Sequence, residues 1–108
     1  MLVLSFDSIL QAPPWIIGAE KDMIVQATVG KSITLICPII GTPKPTLQWF
    51  KNDQPLQSFD IDEQYVLTDI QTSDAGIYRC VAMNRAGRAQ RFFNLSVHSK
   101  NRYFIDCY

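Results

Sequence analysis

Three cysteines, one histidine and a short acidic cluster are the residues here whose types could do chemistry beyond packing. The histidine, His98, would need a nucleophile or a carboxylate beside it for general-base work, and no motif supplies one. It reads as a solvated polar residue. Cys37, Cys80 and Cys107 form no Cys-x-x-Cys pair, and without a second histidine zinc has no ligand set. Asp60, Asp62 and Glu63 could draw a cation weakly, but they lack a calcium-loop pattern and read as a solvated acidic turn. The residues therefore argue against an enzyme, and against a metal or other cofactor. One modification signal stands out: Asn94-Leu95-Ser96 is an Asn-x-Ser acceptor for N-glycosylation in an extracellular chain. It alternates out of phase with Leu95 and Val97, which turns Asn94 to solvent.

At 108 residues the chain has room for one domain. With 47% apolar and 19% charged residues it has the makings of a packed core rather than a disordered segment. Ten basic residues balance ten acidic ones, so no basic stripe is available to displace counterions and nucleic acid is not an expected partner. No apolar run approaches the ~18 residues of a membrane span, so membrane insertion is not expected. Met1 to Phe6 begins like a signal peptide but lacks a basic start, is interrupted by Asp7 and has no Ala-x-Ala site after it. The expectation is the end of a partial chain.

Alternation of apolar residues with period two places the elements. Ala12-Pro13-Pro14-Trp15 reads as an edge strand or linker, because proline cannot serve a central strand. Trp15 is expected as a stopper over the bottom of the core, with an interdomain contact as the alternative. Met23 to Val29 reads as a second edge strand. Ile33, Leu35 and Cys37 share one face, as do Leu47 and Trp49, with Gln48 and Phe50 turned outward. Gly41-Thr42-Pro43-Lys44-Pro45 reads as a loop, Lys51 to Gln54 as a turn, and a short strand is expected near Leu56. Tyr65 with Leu67, Tyr78 with Cys80 and Ala82, and Phe93 with Leu95 and Val97 face inward. Asp74 and Gly76 lie where the chain turns into the strand of Tyr78 and Cys80. Asn84-Arg85-Ala86-Gly87 is a hairpin with Gly87 expected in a left-handed conformation. About seven to nine short strands, with turns about every 8–12 residues, make an all-β, two-sheet antiparallel sandwich.

The spacing of Cys37, Trp49, Tyr78 and Cys80 resembles the immunoglobulin fold. Three motifs together resemble its I-set subclass: Gly30-x-Ser32-x-Thr34-Leu35-x-Cys37, Gly41-x-Pro43-x-Pro45-x3-Trp49-x-Lys51, and Ser73-Asp74-Ala75-Gly76-x-Tyr78-x-Cys80-x-Ala82-x-Asn84-x-Ala86-Gly87. I-set domains occur in cell-adhesion receptors, in matrix proteins such as hemicentins and in giant muscle proteins of the titin type. The resemblance covers residues 13–97, leaving 1–12 as an N-terminal extension and 98–108 as a tail beyond the last strand. It implies Greek-key connections, a Cys37–Cys80 disulfide with Trp49 packed on it, and a Tyr78 hydroxyl bonded back to the corner backbone. It leaves Cys107 unpaired within the domain. Such a disulfide belongs to an oxidising compartment. The aspartate at the corner often meets an Arg or Lys in such domains. None lies between Lys51 and Arg79 here, so Asp74 is expected to be capped by backbone N–H groups or left partly wet.

Phe50, Arg79, Val81 and Phe92 share the outer phase of three neighbouring strands, with Met83 and Gln48 among them. This is the candidate binding face. A glycan on Asn94, two residues from Phe92, would crowd it. The resemblance implies a non-catalytic protein–protein interaction module of an extracellular adhesion or matrix protein. Its partner would be heterophilic or homophilic, and neighbouring immunoglobulin-like domains would flank it. The alternative is a spacer in an intracellular, sarcomeric titin-like array.

Overall fold

Hydrophobic alternation sorts the chain into strands of two layers. In the computed structural model, residues 10–18, 21–57 and 63–99 are described. Among them the strands are β1 (Ala12–Ile16), β2 (Met23–Thr28), β3 (Ile33–Ile36), β4 (Ile39–Thr42), β5 (Thr46–Lys51), β6 (Gln54–Pro55), β7 (Gln64–Leu67), β8 (Gly76–Asn84) and β9 (Gly87–His98). One 3-10 turn spans Thr72–Asp74. One layer is a five-stranded sheet in the order β2-β9-β8-β5-β6; the other is built from the pairs β1-β4 and β3-β7. Together they form an immunoglobulin-like sandwich.

Between the layers lie Leu35, Cys37, Trp49, Ile70, Tyr78, Cys80, Phe93 and Leu95, each with at most 2% of its surface exposed. Trp49 stands opposite Cys80 in the β5–β8 register. Its ring centroid is 5.6 Å from both Tyr65 and Phe93. Cys37 and Cys80 are disulfide-bonded with Cα atoms 6.6 Å apart, tying β8 to the opposite layer. The β5–β6 hairpin turns on Asn52 and Asp53 at φ 49° and 66°. Asn and Asp tolerate this left-handed backbone best among residues other than glycine.

Several local expectations are corrected. The sheet is not wholly antiparallel, because β2 runs parallel to β9 from Met23↔Phe93 to Thr28↔His98. The chain leaves β1 through Gly18, at φ +80°, and joins the opposite layer as β2. The loop expected at residues 41–45 begins later, since β4 runs on to Thr42 and pairs with β1. Pro38 lacks an N–H, yet its carbonyl accepts the Ile17 N–H at 2.9 Å, so pairing survives the proline. Trp15 does not stop the core: Pro14 and Ile16 take the inward phase, and Trp15 is 59% exposed. The strand expected near Leu56 is β6, two residues earlier, with Leu56 N–H still bonding the Trp49 carbonyl at 2.9 Å. Gly87 has φ +157°, a positive value that favours glycine as at Gly76 but lies far from the left-handed helical region. Asp60, Asp62, Cys107 and nearly all of the tail and N-terminal extension lie outside the described residues.

Candidate protein-contact surface

The corner before β8 places Tyr78, Asp74 and Gly76. Tyr78 donates its hydroxyl to the Asp74 carbonyl at 2.5 Å. The Asp74 carboxylate accepts the Gln71 backbone N–H at 2.7 Å and is half-buried, so one backbone donor meets it. The cation that reaches this corner is Lys51, from β5. Its Nζ donates to the Ser73 carbonyl at 2.6 Å and stands 5.7 Å from the centre of the Tyr78 ring. Burial, with the Asp74 carboxylate and Tyr65 nearby, pushes the Tyr78 phenol up to about 12. It stays protonated at neutral pH and acts as a hydrogen-bond donor.

Gly76, at φ +154°, is held by Asn52. The Asn52 side-chain oxygen accepts the Ile77 N–H at 2.9 Å, while the Asn52 backbone N–H donates to the Ile77 carbonyl at 2.8 Å. A Cβ on Gly76 would lie 2.9 Å from the Asn52 side-chain amide.

On the outward side of the five-stranded sheet, Phe50, Arg79 and Phe92 are direct cross-strand neighbours on β5, β8 and β9. The Arg79 guanidinium sits 4.4 Å from the Phe50 ring centre and 5.9 Å from that of Phe92. It also donates to Gln90 Oε1 at 3.2 Å and pairs with Asp53 at 3.6 Å. The sheet geometry thus brings the two rings and the cation together as a stacked strip, with Arg79 lying between the aromatics. Val81 is on the same face but only 5% exposed, so it supports the strip instead of contacting solvent. It lies between Gln48 and Gln90 in the register. Met83, at 48%, remains open to solvent.

Two further outward features escaped the sequence reading. Ile24 and Ile77 flank Asn94 on β2 and β8, 80% and 49% exposed, with Asn94 itself exposed between them. On the other layer Trp15 and Ile40 are register partners, and both are exposed. The signal for both was present, since Ile24, Ile77, Trp15 and Ile40 are out of phase with their buried neighbours. Residue size argued the other way for Trp15. Among the described residues no group of His, Cys, Asp and Glu could hold a metal ion, and no helix is long and apolar enough to cross a membrane.

Residues 19–97 match the family model described as "Immunoglobulin I-set domain". The chain is 36% identical over 102 residues to mouse hemicentin-1, covering 87% of itself and 2% of that protein. It is 30% identical to human neural cell adhesion molecule 1, covering 85% of itself and 12% of that protein. It therefore spans a small fraction of the relatives it matches. Among solved structures, the complex of a titin domain with an obscurin-like 1 immunoglobulin domain gives a TM-score of 0.69 at 30% identity. That match covers 82% of this chain and 96% of the matched one. The four N-terminal immunoglobulin domains of Dscam1 give a TM-score of 0.74 at 20% identity, over 82% of this chain and 25% of that one, which speaks to fold alone.

Proposed function

Because the chain belongs to the immunoglobulin I-set family, whose domains in adhesion and muscle proteins are non-catalytic, we propose that it is a protein-contact module of an extracellular adhesion or matrix protein. The Cys37–Cys80 bridge carries this reading, because such a bond persists in an oxidising compartment and is kept reduced in the cytosol. Relatives named hemicentin and neural cell adhesion molecule support the same compartment. A sarcomeric spacer is the second reading, favoured by the titin-containing complex at 30% identity. That structure is itself a complex between immunoglobulin domains, so a partner of the same fold suits either reading.

The contact is assigned to the Phe50–Arg79–Phe92 strip, with Arg85 and Arg88 adding positive charge at the hairpin beside it. Aromatic side chains bury much area with few rotors, arginine adds a planar fork of donors, and both dominate many interfaces. Affinity capture from an extracellular extract tests this with wild type and a Phe50→Ala/Phe92→Ala variant, each first checked for folding. Each substitution is expected to weaken binding by about 1–2 kcal/mol. Equal capture by both chains sinks the contact and favours the spacer. Thiol labelling of Cys37 and Cys80 in the native tissue decides the compartment: a reduced pair excludes the extracellular reading.

A further inference from the structure

Asn94 stands mid-strand on β9, exposed, with Ile24 directly across the parallel pairing and Ile77 directly across the antiparallel one. Neighbouring strands lie about 4.8 Å apart, so the three side chains occupy a row about 10 Å wide. Both isoleucines are open, at 80% and 49% exposure. The next row is different, because Arg79 lies against Phe50 and covers it with a charged group. The isoleucine row has one polar residue at its centre, and that residue heads the sequence Asn94-Leu95-Ser96. Ser96 follows two residues on, on the same face as Asn94.

We propose that Asn94 carries an N-linked glycan whose first sugars lie over Ile24 and Ile77. In the step that makes it, the Asn94 side-chain nitrogen bonds to the anomeric carbon of an oligosaccharide carried on a polyisoprenyl pyrophosphate. The sugar–phosphate bond breaks, the pyrophosphate lipid leaves with the bonding electrons, and the amide gives up one proton. The C–H face of a pyranose packs on the isoleucines and removes an apolar row from water. Phe92 precedes Asn94 by two residues, about 7 Å along β9. The glycan therefore rises at the β9 edge of the aromatic strip and leaves the β5–β6 side of that strip open to a partner. This rests on the extracellular reading, because the lipid-linked donor is met on the secretory route.

The test fuses the 108-residue chain to a cleavable secretory leader and expresses it in glycosylating cells. Intact mass is measured before and after an amidase that cleaves the glycan–asparagine bond and leaves aspartate. The expected result is a glycan mass lost on treatment, with aspartate appearing at position 94. Ser96→Ala abolishes the modification and Ser96→Thr retains it. Binding of an apolar dye rises in Asn94→Gln, and falls back when Ile24→Ser and Ile77→Ser are added. A secreted, disulfide-bonded wild-type chain without glycan overturns the site. A glycosylated chain that binds dye like Asn94→Gln overturns its seat on the isoleucines. The forced secretory route separates both outcomes from failure of the compartment, which the native thiol state of Cys37 and Cys80 reports.

Discussion

The Tyr78 hydroxyl donates to the carbonyl of Asp74, four residues earlier, at 2.5 Å, and so pins the turn that feeds β8. Burial is the main reason its phenol holds its proton up to about 12, above the usual value of 10.0. A raised folded value favours the fold while the phenol is protonated. The contribution is whole below pH 10 and declines by about 1.4 kcal/mol per pH unit as pH climbs from there towards 12. At neutral pH Tyr78→Phe should cost about 1 kcal/mol for the lost hydrogen bond. Urea midpoints of both proteins, followed from pH 8 upward, should meet less than about one unit above pH 10 and then cross, with wild type the less stable as pH nears about 12. A constant gap would contradict the buried phenol.

Gly76→Ala should destabilise by about 1–3 kcal/mol, combining a strained positive φ with a clash against the Asn52 amide. Relieving the clash alone, with Asn52→Gly, cannot restore wild-type stability, because the bond from the Ile77 N–H is then lost. Chemical denaturation of the two single variants and the double variant checks this. Wild-type behaviour in Gly76→Ala would mean that the backbone there is ordinary.

Trp49→Ala should cost about 3–5 kcal/mol, the range for deleting a large aromatic from a packed interior. Its ring lies between Tyr65 and Phe93 and is 1% exposed, leaving little freedom for the cavity to collapse. A small shift in the unfolding midpoint would contradict that placement.

Arg79 and Asp53 separate charge pairing from stacking. Asp53 is 86% exposed, so Asp53→Asn should change stability by no more than about 0.5 kcal/mol. Asparagine is the right replacement because it tolerates the left-handed backbone at position 53. Arg79→Ala should cost more, since it strips the guanidinium and its stem from the Phe50 ring. Equal effects of the two substitutions in thermal unfolding would make the ion pair, not the stacking, the dominant contact.

The buried half of each central strand was readable because period two and burial point the same way. Leu35, Cys37, Trp49, Tyr78, Cys80, Phe93 and Leu95 all fall on the inward phase and all are buried. Trp15 misled because residue size suggests burial, while the phase set by Pro14 and Ile16 turns it out. Val81 misled in the opposite sense: an outward phase is not exposure when strands on both sides carry long side chains. The reach of Lys51 to Ser73 was invisible, because 22 residues separate them and only the folded β5 brings them together. No local pattern marks a parallel pairing such as β2 with β9, which depends on where the chain crosses between layers.

That parallel pairing also decides how the domain meets tension. Pulling the chain backward from Met23 and forward from His98 loads all the rungs between β2 and β9 in shear at once, from Met23↔Phe93 to Thr28↔His98. An antiparallel pair pulled at its open end would instead unzip one rung at a time. Should the sheet yield, the disulfide still spans a separation of 43 residues and withholds about 150 Å of chain from extension, at ~3.5 Å per residue. A stretched domain would therefore lengthen in two stages set by the redox state of one bond, the second stage opening only after Cys37 and Cys80 part.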